Sequence, residues 1–182
     1  NFQALKWSPT LRFTVFGAMC YTLASLQGIS MAIPSLNVVT HFTHYTVGHA
    51  HLGLYAFFTM IMFGAMYYIL PRVVGWEWPS ARLIRWHFWL VAIGIGMMVV
   101  VLTLGGLLQG LALLDPDITF MASLDYTKPW LFLRSISGLL LTAGHIVFAV
   151  SFTLLLLKAG ASRTEPTLFA TDQDRQPEPL NA

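Results

Sequence analysis

The stretch HFTHYTVGHAHLGLYAFFTMIMFGAMYYIL, residues 41–70, combines a cluster of histidines with a long uncharged run. Four histidines lie within its first eleven residues, and no Lys, Arg, Asp or Glu follows before Arg72. A helix rises about 1.5 Å per residue, so about 20 apolar residues cross the roughly 30 Å hydrocarbon layer of a bilayer. The stretch therefore predicts a membrane-spanning helix that carries metal-ligating side chains near its beginning.

The composition of the whole chain extends this prediction. Hydrophobic residues make up 56% of the 182 residues and charged residues only 10%, which is typical of a membrane protein rather than a soluble domain. Apolar runs long enough to cross a bilayer lie near residues 11–33, 45–70, 83–113 and 129–157. The sequence therefore predicts an all-α membrane protein with four transmembrane helices.

Other parts of the chain limit its partners. The single cysteine, Cys20, excludes an internal disulfide, and a net charge of +2 gives no basic surface for nucleic acid. Residues 159–182 are polar and rich in Pro and Thr, so we expect a disordered tail after a membrane region of residues 1–158. Because the chain begins with Asn and shows no signal-peptide pattern, we expect a fragment, a processed product or part of a longer chain.

Positive charges are unevenly distributed between the two sides of this arrangement. Lys128 and Arg134 fall on one side, together with Asp115, Asp117 and Asp125. The remaining Lys and Arg residues fall on the side of the termini: Lys6, Arg12, Arg72, Arg82, Arg85, Lys158, Arg163 and Arg175. By the positive-inside rule, both termini are predicted to be cytoplasmic and the histidine cluster to lie at the outer end of the second helix.

The spacing of His49 and His51 predicts that they serve different partners. Residues two apart in a helix point about 200° apart, so the two imidazoles cannot reach the same metal ion. One imidazole on each face suits two haems on either side of the helix, and the small residues Gly48, Ala50 and Gly53 leave room for them. The alternative is that both are structural histidines, hydrogen-bonded to neighbouring helices.

A family resemblance agrees with this spacing. The stretch quoted above, together with WHFW, LLQG and KPWLFLRSISGLL, resembles the C-terminal third of the catalytic subunit of the haem-copper oxidase superfamily. The branch that it resembles most is the cbb3-type cytochrome c oxidases, with the related nitric oxide reductases. The resemblance implies that His49 is the axial ligand of a high-spin haem b and His51 an axial ligand of a low-spin haem b. It also implies that copper or non-haem iron is held by ligands outside this chain.

Further residues are assigned by the same resemblance. Tyr21 matches a tyrosine of the oxidase proton path, whereas Gln27 replaces a glutamate near the active site. An amide cannot titrate, and ordinary interhelical hydrogen bonding is the alternative role for this polar helix. Arg134 matches an arginine that pairs with a haem propionate, or else it anchors the helix at the membrane interface. His145, near mid-membrane, is either structural or a ligand or proton carrier.

The resemblance implies one activity and leaves alternatives. As part of a terminal oxidase in a bacterial inner membrane, the chain would join the remaining helices of the subunit, contact lipid and receive electrons from a c-type cytochrome for the reduction of dioxygen to water. A nitric oxide reductase with haem and non-haem iron is the first alternative. A non-catalytic haem-binding or assembly subunit is the second.

Overall fold

The computed structural model describes Leu5 and residues 8–163, and this part of the chain is helical. Its only β-pairing is a single bridge between Trp76 and Ser162. The helices are α1 (Pro9–Ala32), α2 (Pro34–Thr40), α3 (His44–Val74), α4 (Ala81–Leu114), α5 (Phe120–Asp125) and α6 (Lys128–Leu156). Four segments are long and apolar enough to cross a membrane, namely α1, α3, α4 and the region Phe120–Leu156 that combines α5 with α6. The predicted all-α fold with four transmembrane helices is confirmed.

Prolines and capping side chains explain where the helices begin. The hydroxyl of Ser8 accepts a hydrogen bond from the backbone N–H of Leu11, and Ser80 does the same for Leu83 at the start of α4. These bonds satisfy N–H groups that have no partner within the first turn of a helix. Between α1 and α2, Ile33 is extended ahead of Pro34, as expected of a residue that precedes proline.

The second span does not end at Pro71, where the sequence predicted its boundary. Instead α3 continues to Val74 and ends at Gly75, whose φ of 75° lies in the left-handed region. Pro71 has no N–H to offer the carbonyl of Tyr67, four residues earlier. The indole N–H of Trp78 donates to that carbonyl at 3.1 Å. The loop after α3 therefore satisfies the acceptor that the proline leaves free.

The centre of α3 departs from α-helical geometry. Residues Leu52–Thr59 form a π-helical segment between the α-helical parts His44–His51 and Met60–Val74. Its hydroxyl at Thr59 bonds to the carbonyl of Leu54, five residues earlier, at 3.1 Å. Each π-turn holds more residues than an α-turn, so the segment changes which side chains share a face after His51. Such segments occur frequently at functional sites.

Close helix contacts are made at glycines. A Cβ on Gly106 of α4 would overlap the backbone of Tyr45 at the start of α3, and one on Gly110 would overlap the backbone carbonyl of Val39. Gly48 is similar, since its Cβ would lie 3.2 Å from Leu102 Cβ and 3.3 Å from Thr103 Oγ1. Small residues allow this approach in membrane bundles. Gly48 thus packs α3 against α4. The sequence had suggested that this glycine leaves room for a cofactor, but Leu102 and Thr103 of α4 occupy that space.

The two ends of the bundle differ in charge. One end, here called the basic end, holds Arg12, Arg72, Arg82, Arg85, Lys158 and Arg163, and the acidic end holds Asp115, Asp117 and Asp125. Arg163 forms an ion pair with Glu77 at 2.6 Å, and its side chain is only 5% exposed. Residues 159–163 of the expected tail thus contact the loop after α3. The rest of that tail lies outside the described residues.

Candidate functional site

His49 faces α1. Its ring packs beside Gly28, with Cε1 at 3.2 Å and Nε2 at 3.7 Å from the position that a Cβ on Gly28 would take. Glycine at position 28 therefore makes room for the imidazole. The Nδ1 atom is buried and has no hydrogen-bond partner among the described residues. An unsatisfied buried polar atom costs about 1–3 kcal/mol, so the contacts of His49 do not resemble those of a structural, hydrogen-bonded histidine.

His51 faces a different environment. Its Nδ1 atom lies 2.8 Å from the carbonyl oxygen of Val47, one helical turn earlier. Because a carbonyl only accepts, Nδ1 carries the proton and the lone pair of the ring is on Nε2. The ring borders an open groove of about 270 Å³ on the surface of α3, lined by Ala50, His51, Leu54, Tyr55 and Thr59. The two histidines therefore face different surroundings, as their spacing predicted.

The arrangement at His51 fits an axial ligand of haem iron. Iron-binding imidazoles commonly donate their second ring N–H to a backbone carbonyl, which fixes the tautomer and the orientation of the ring. His51 already has this bond, and its groove is apolar apart from two hydroxyls. His49 lacks such a bond, because its Nδ1 atom has no hydrogen-bond partner among the described residues. Among the described residues, no three His, Cys, Asp or Glu side chains form a metal-binding cluster.

Gln27 lies at a contact between α1 and α4. Its side-chain amide donates to Thr103 Oγ1 at 3.1 Å, whereas its Oε1 atom is buried and unpartnered among the described residues. The side chain also borders a mostly apolar cavity of about 470 Å³, together with Tyr45 and Thr103. Next to it, the hydroxyls of Ser30 and Tyr45 are 3.1 Å apart. The amide oxygen of Gln27 is thus a buried polar atom that the described residues leave unsatisfied.

Tyr21 is not brought together with Gln27. Its ring packs on Phe57 at 4.8 Å between centroids and is 55% exposed, whereas Gln27 points to α4. The hydroxyl of Ser25 donates to the carbonyl of Tyr21 at 3.0 Å, within α1 itself. In the described part of the chain, the polar side chains of Tyr21, Ser25 and Gln27 therefore do not form a connected hydrogen-bond path. Tyr21 remains available to residues that pack on this face.

The acidic end holds two other residues considered from the sequence. His44, at the start of α3, contacts Gln109 of α4, with 2.7 Å between Nδ1 and Oε1. The same Oε1 accepts the backbone N–H of His44 at 3.0 Å. His44 thus fixes the beginning of α3 against α4. Arg134 is exposed nearly two turns into α6, a position open to an anionic partner.

Sequence reasoning missed a cluster of rings between α3, α4 and α6. The hydroxyl of Tyr55 lies 2.9 Å from Nε2 of His145, and that of Tyr67 lies 2.8 Å from Nδ1 of His87. The two imidazole centroids are 6.4 Å apart. One signal was available, since Tyr55 follows His51 by four residues and would share its side of a regular α-helix. The pairing of α4 with α6 was not readable from the sequence.

Comparison with known proteins gives the family. Residues 2–140 match the family described as cytochrome c and quinol oxidase polypeptide I. The chain is 35% identical over 152 residues to the cbb3-type cytochrome c oxidase subunit CcoN1 of Stutzerimonas stutzeri, an alignment covering 80% of this chain and 32% of that protein. It is 31% identical over 170 residues to a cytochrome c oxidase subunit 1 homolog of Agrobacterium tumefaciens (strain T37), covering 87% and 32%. It is also 31% identical over 137 residues to a nitric oxide reductase of Stutzerimonas stutzeri, covering 71% of this chain and 29% of that one.

The fold has a counterpart among solved structures. A haem-copper terminal oxidase dimer determined by cryo-electron microscopy matches with a TM-score of 0.66 and 21% identity, over 87% of this chain and 28% of that one. The chain thus spans about a third of the length of the relatives that it matches. A four-helix arrangement shared with part of this oxidase agrees with the family match over residues 2–140. The chain belongs to the cytochrome c and quinol oxidase polypeptide I family, the catalytic subunits of haem-copper oxidases.

Proposed function

We propose that this chain is part of the catalytic subunit of a cbb3-type terminal oxidase and that it binds both a high-spin and a low-spin haem b. His49 is the axial ligand of the high-spin haem and His51 an axial ligand of the low-spin haem. The observation that carries the proposal is the different orientation of the two rings, with His49 beside Gly28 of α1 and His51 in the surface groove of α3. Its cbb3-type relative supports the oxidase over other members of the family.

Each residue has a defined task in this proposal. The bound haems and a copper ion held outside this chain supply the redox chemistry by which dioxygen is reduced to water. His51 offers Nε2 to iron while its Nδ1–H stays on the carbonyl of Val47, which holds the ring in one orientation. Gly28 leaves the space that the ring of His49 occupies. Arg134, exposed near the start of α6, pairs with a haem propionate.

The experiment uses visible spectra of the assembled complex with and without carbon monoxide. His51→Ala should remove the low-spin signal and leave CO-binding haem, whereas His49→Ala should remove the CO-sensitive haem and leave the low-spin one. His41→Ala is the control, since His41 is an exposed histidine eight residues before His49. A complex in which either ligand substitution leaves both spectra unchanged would contradict the assignment. Absence of haem from the wild-type complex would favour the non-catalytic alternative.

Nitric oxide reduction is a second candidate because of Gln27. Its buried Oε1 has no hydrogen-bond partner among the described residues, and an oxygen donor suits iron better than copper. The similarity to the nitric oxide reductase of Stutzerimonas stutzeri supports the same alternative. Metal analysis separates the two activities. About one copper per high-spin haem would exclude the reductase, and non-haem iron without copper would exclude the oxidase.

The wider setting is part of the same proposal. The remaining helices of the subunit, or a partner chain, complete the haem and metal ligands, and a c-type cytochrome supplies electrons. The complex lies in a bacterial inner membrane with the basic end of the bundle in the cytoplasm. Tyr21, exposed on α1, then contributes to proton delivery through groups on those other helices.

A further inference from the structure

Tyr55 joins the groove of His51 to a half-buried imidazole on another helix, that of His145. Its side chain lines the groove, and its hydroxyl lies 2.9 Å from Nε2 of His145, the shorter of its two contacts with that ring. The Nδ1 atom of His145 lies 2.6 Å from the carbonyl of Leu141, one turn earlier on α6. Nδ1 therefore holds the proton, and Nε2 accepts the hydrogen bond from Tyr55. The lone pair on Nε2 of His145 therefore faces the hydroxyl of Tyr55, whose side chain lines the groove.

Few titratable or charged groups surround His145. The titratable groups facing it are Tyr55 from α3 and His87 from α4, and Tyr67 of α3 lies behind His87. The ring of Phe63, 5.7 Å away, fills the space between them. Lys, Arg, Asp and Glu are absent from α4 between Arg85 and Asp115 and from α6 between Arg134 and Lys158. A change of charge in the groove is therefore weakly screened at His145.

We propose that His145 takes up a proton when the haem bound at His51 is reduced, and that the hydrogen bond from Tyr55 sets the pH range of this uptake. This inference rests on the proposed low-spin haem. When one electron arrives from the c-type donor, one proton from bulk water binds to Nε2 of His145 and gives an imidazolium. The hydroxyl of Tyr55 then turns and accepts from the new N–H, while Nδ1–H stays on Leu141. When the electron leaves for the high-spin site, the proton returns to water.

The geometry supplies the reason for this coupling. An added electron makes the groove more negative, and a cation nearby offsets that charge in a region of low dielectric constant. Tyr55 is suited to set the pH range of the uptake because a phenol can donate to neutral imidazole and accept from imidazolium. His87 is less suited, since Phe63, Phe13 and Phe148 pack around its ring and Tyr67 already bonds its Nδ1. His145 is therefore the residue assigned to proton uptake.

The test is the midpoint potential of the low-spin haem as a function of pH, measured in the assembled complex. Uptake of one proton per electron lowers the potential by about 59 mV for each tenfold fall in proton activity. The wild-type complex should show a pH-dependent potential with this slope, and His145→Leu should remove it. Tyr55→Phe should keep a slope and move its pH range. His41→Leu changes an exposed histidine outside the group of rings formed by Tyr55, Tyr67, His87 and His145. It should leave the slope and its pH range unchanged.

A second measurement reports on the imidazole itself. Infrared difference spectra of the reduced and oxidised complex, with ¹⁵N-labelled histidine, should contain a histidine ring band that His145→Leu abolishes. A wild-type potential independent of pH, or a slope that survives His145→Leu, would overturn the inference. If that variant fails to assemble, an unaltered pH range in Tyr55→Phe overturns it instead. Failure of the proposed function looks different, because the low-spin haem spectrum itself would then be missing or insensitive to His51→Ala.

Discussion

Gly106 of α4 offers the sharpest test of how the fold positions the two histidines. Gly106→Ala would place a Cβ on the backbone nitrogen and Cα of Tyr45, four residues before His49. Backbone atoms cannot rotate away as a flexible side chain would, so α3 and α4 must separate or shift. Overpacking of this kind costs about 1–3 kcal/mol or more. The gain in helix propensity from Gly to Ala, about 0.5–1 kcal/mol, offsets only part of that cost.

A matched substitution on the same helix controls for that propensity. A Cβ on Gly96 meets nothing within 4 Å among the described residues, so Gly96→Ala should be neutral or slightly stabilising. We expect Gly106→Ala to be less stable than Gly96→Ala by about 1–3 kcal/mol and to bind less of both haems, because the beginning of α3 has moved. Thermal unfolding of the assembled complex and its haem content per chain measure the two effects. Equal stability and equal haem content in the two variants would refute this account of the α3–α4 contact.

Three further predictions concern other contacts. Trp78→Phe removes the N–H that bonds the carbonyl of Tyr67, and should lower the free energy of unfolding by about 0.5–1.5 kcal/mol, as measured by thermal unfolding against wild type. Gln109→Leu leaves the backbone N–H of His44 without its acceptor, and should destabilise by about 1–3 kcal/mol; an unchanged unfolding temperature would contradict this role. A reporter fused after Leu157 should be active in the cytoplasm, and one in the α4–α5 loop outside; the reverse result would overturn the orientation drawn from charge.

The transmembrane helices were predictable because a helix that crosses the bilayer must be long enough and apolar enough to match its thickness. The second span shows the limit of that reasoning. Its boundary was expected at Pro71, yet α3 continues to Val74, because Trp78 supplies the donor that the proline removes. The π-helical segment Leu52–Thr59 was equally hidden. Neither a compensating hydrogen bond from a later loop nor a change of helical pitch leaves a periodic mark in the sequence.

The candidate site likewise contains some features that the sequence predicted and others that it did not. The opposite orientation of His49 and His51 follows from helical spacing alone, and the structure places their rings in different surroundings. Within α1, the hydroxyl of Ser25 bonds to the carbonyl of Tyr21 in its own helix, a contact that the residue types alone do not reveal. The pairing of Tyr55 with His145 depends on how α6 lies against α3 and α4, since the two residues are 90 positions apart. The orientation of the two histidines was therefore predictable, whereas contacts between helices were not.

Thr103 shows how a polar residue away from both histidines can influence them. Its Oγ1 accepts the amide of Gln27 from α1, and the same atom lies 3.3 Å from where a Cβ on Gly48 would be. The Thr103 hydroxyl therefore contacts Gln27 of α1, one residue before Gly28, and lies beside Gly48 of α3, one residue before His49. Because Gly28 also contacts the ring of His49, a shift of α1 acts on that ring from one side while Thr103 holds its backbone from the other. We therefore expect Gln27 to influence the orientation of His49 through packing.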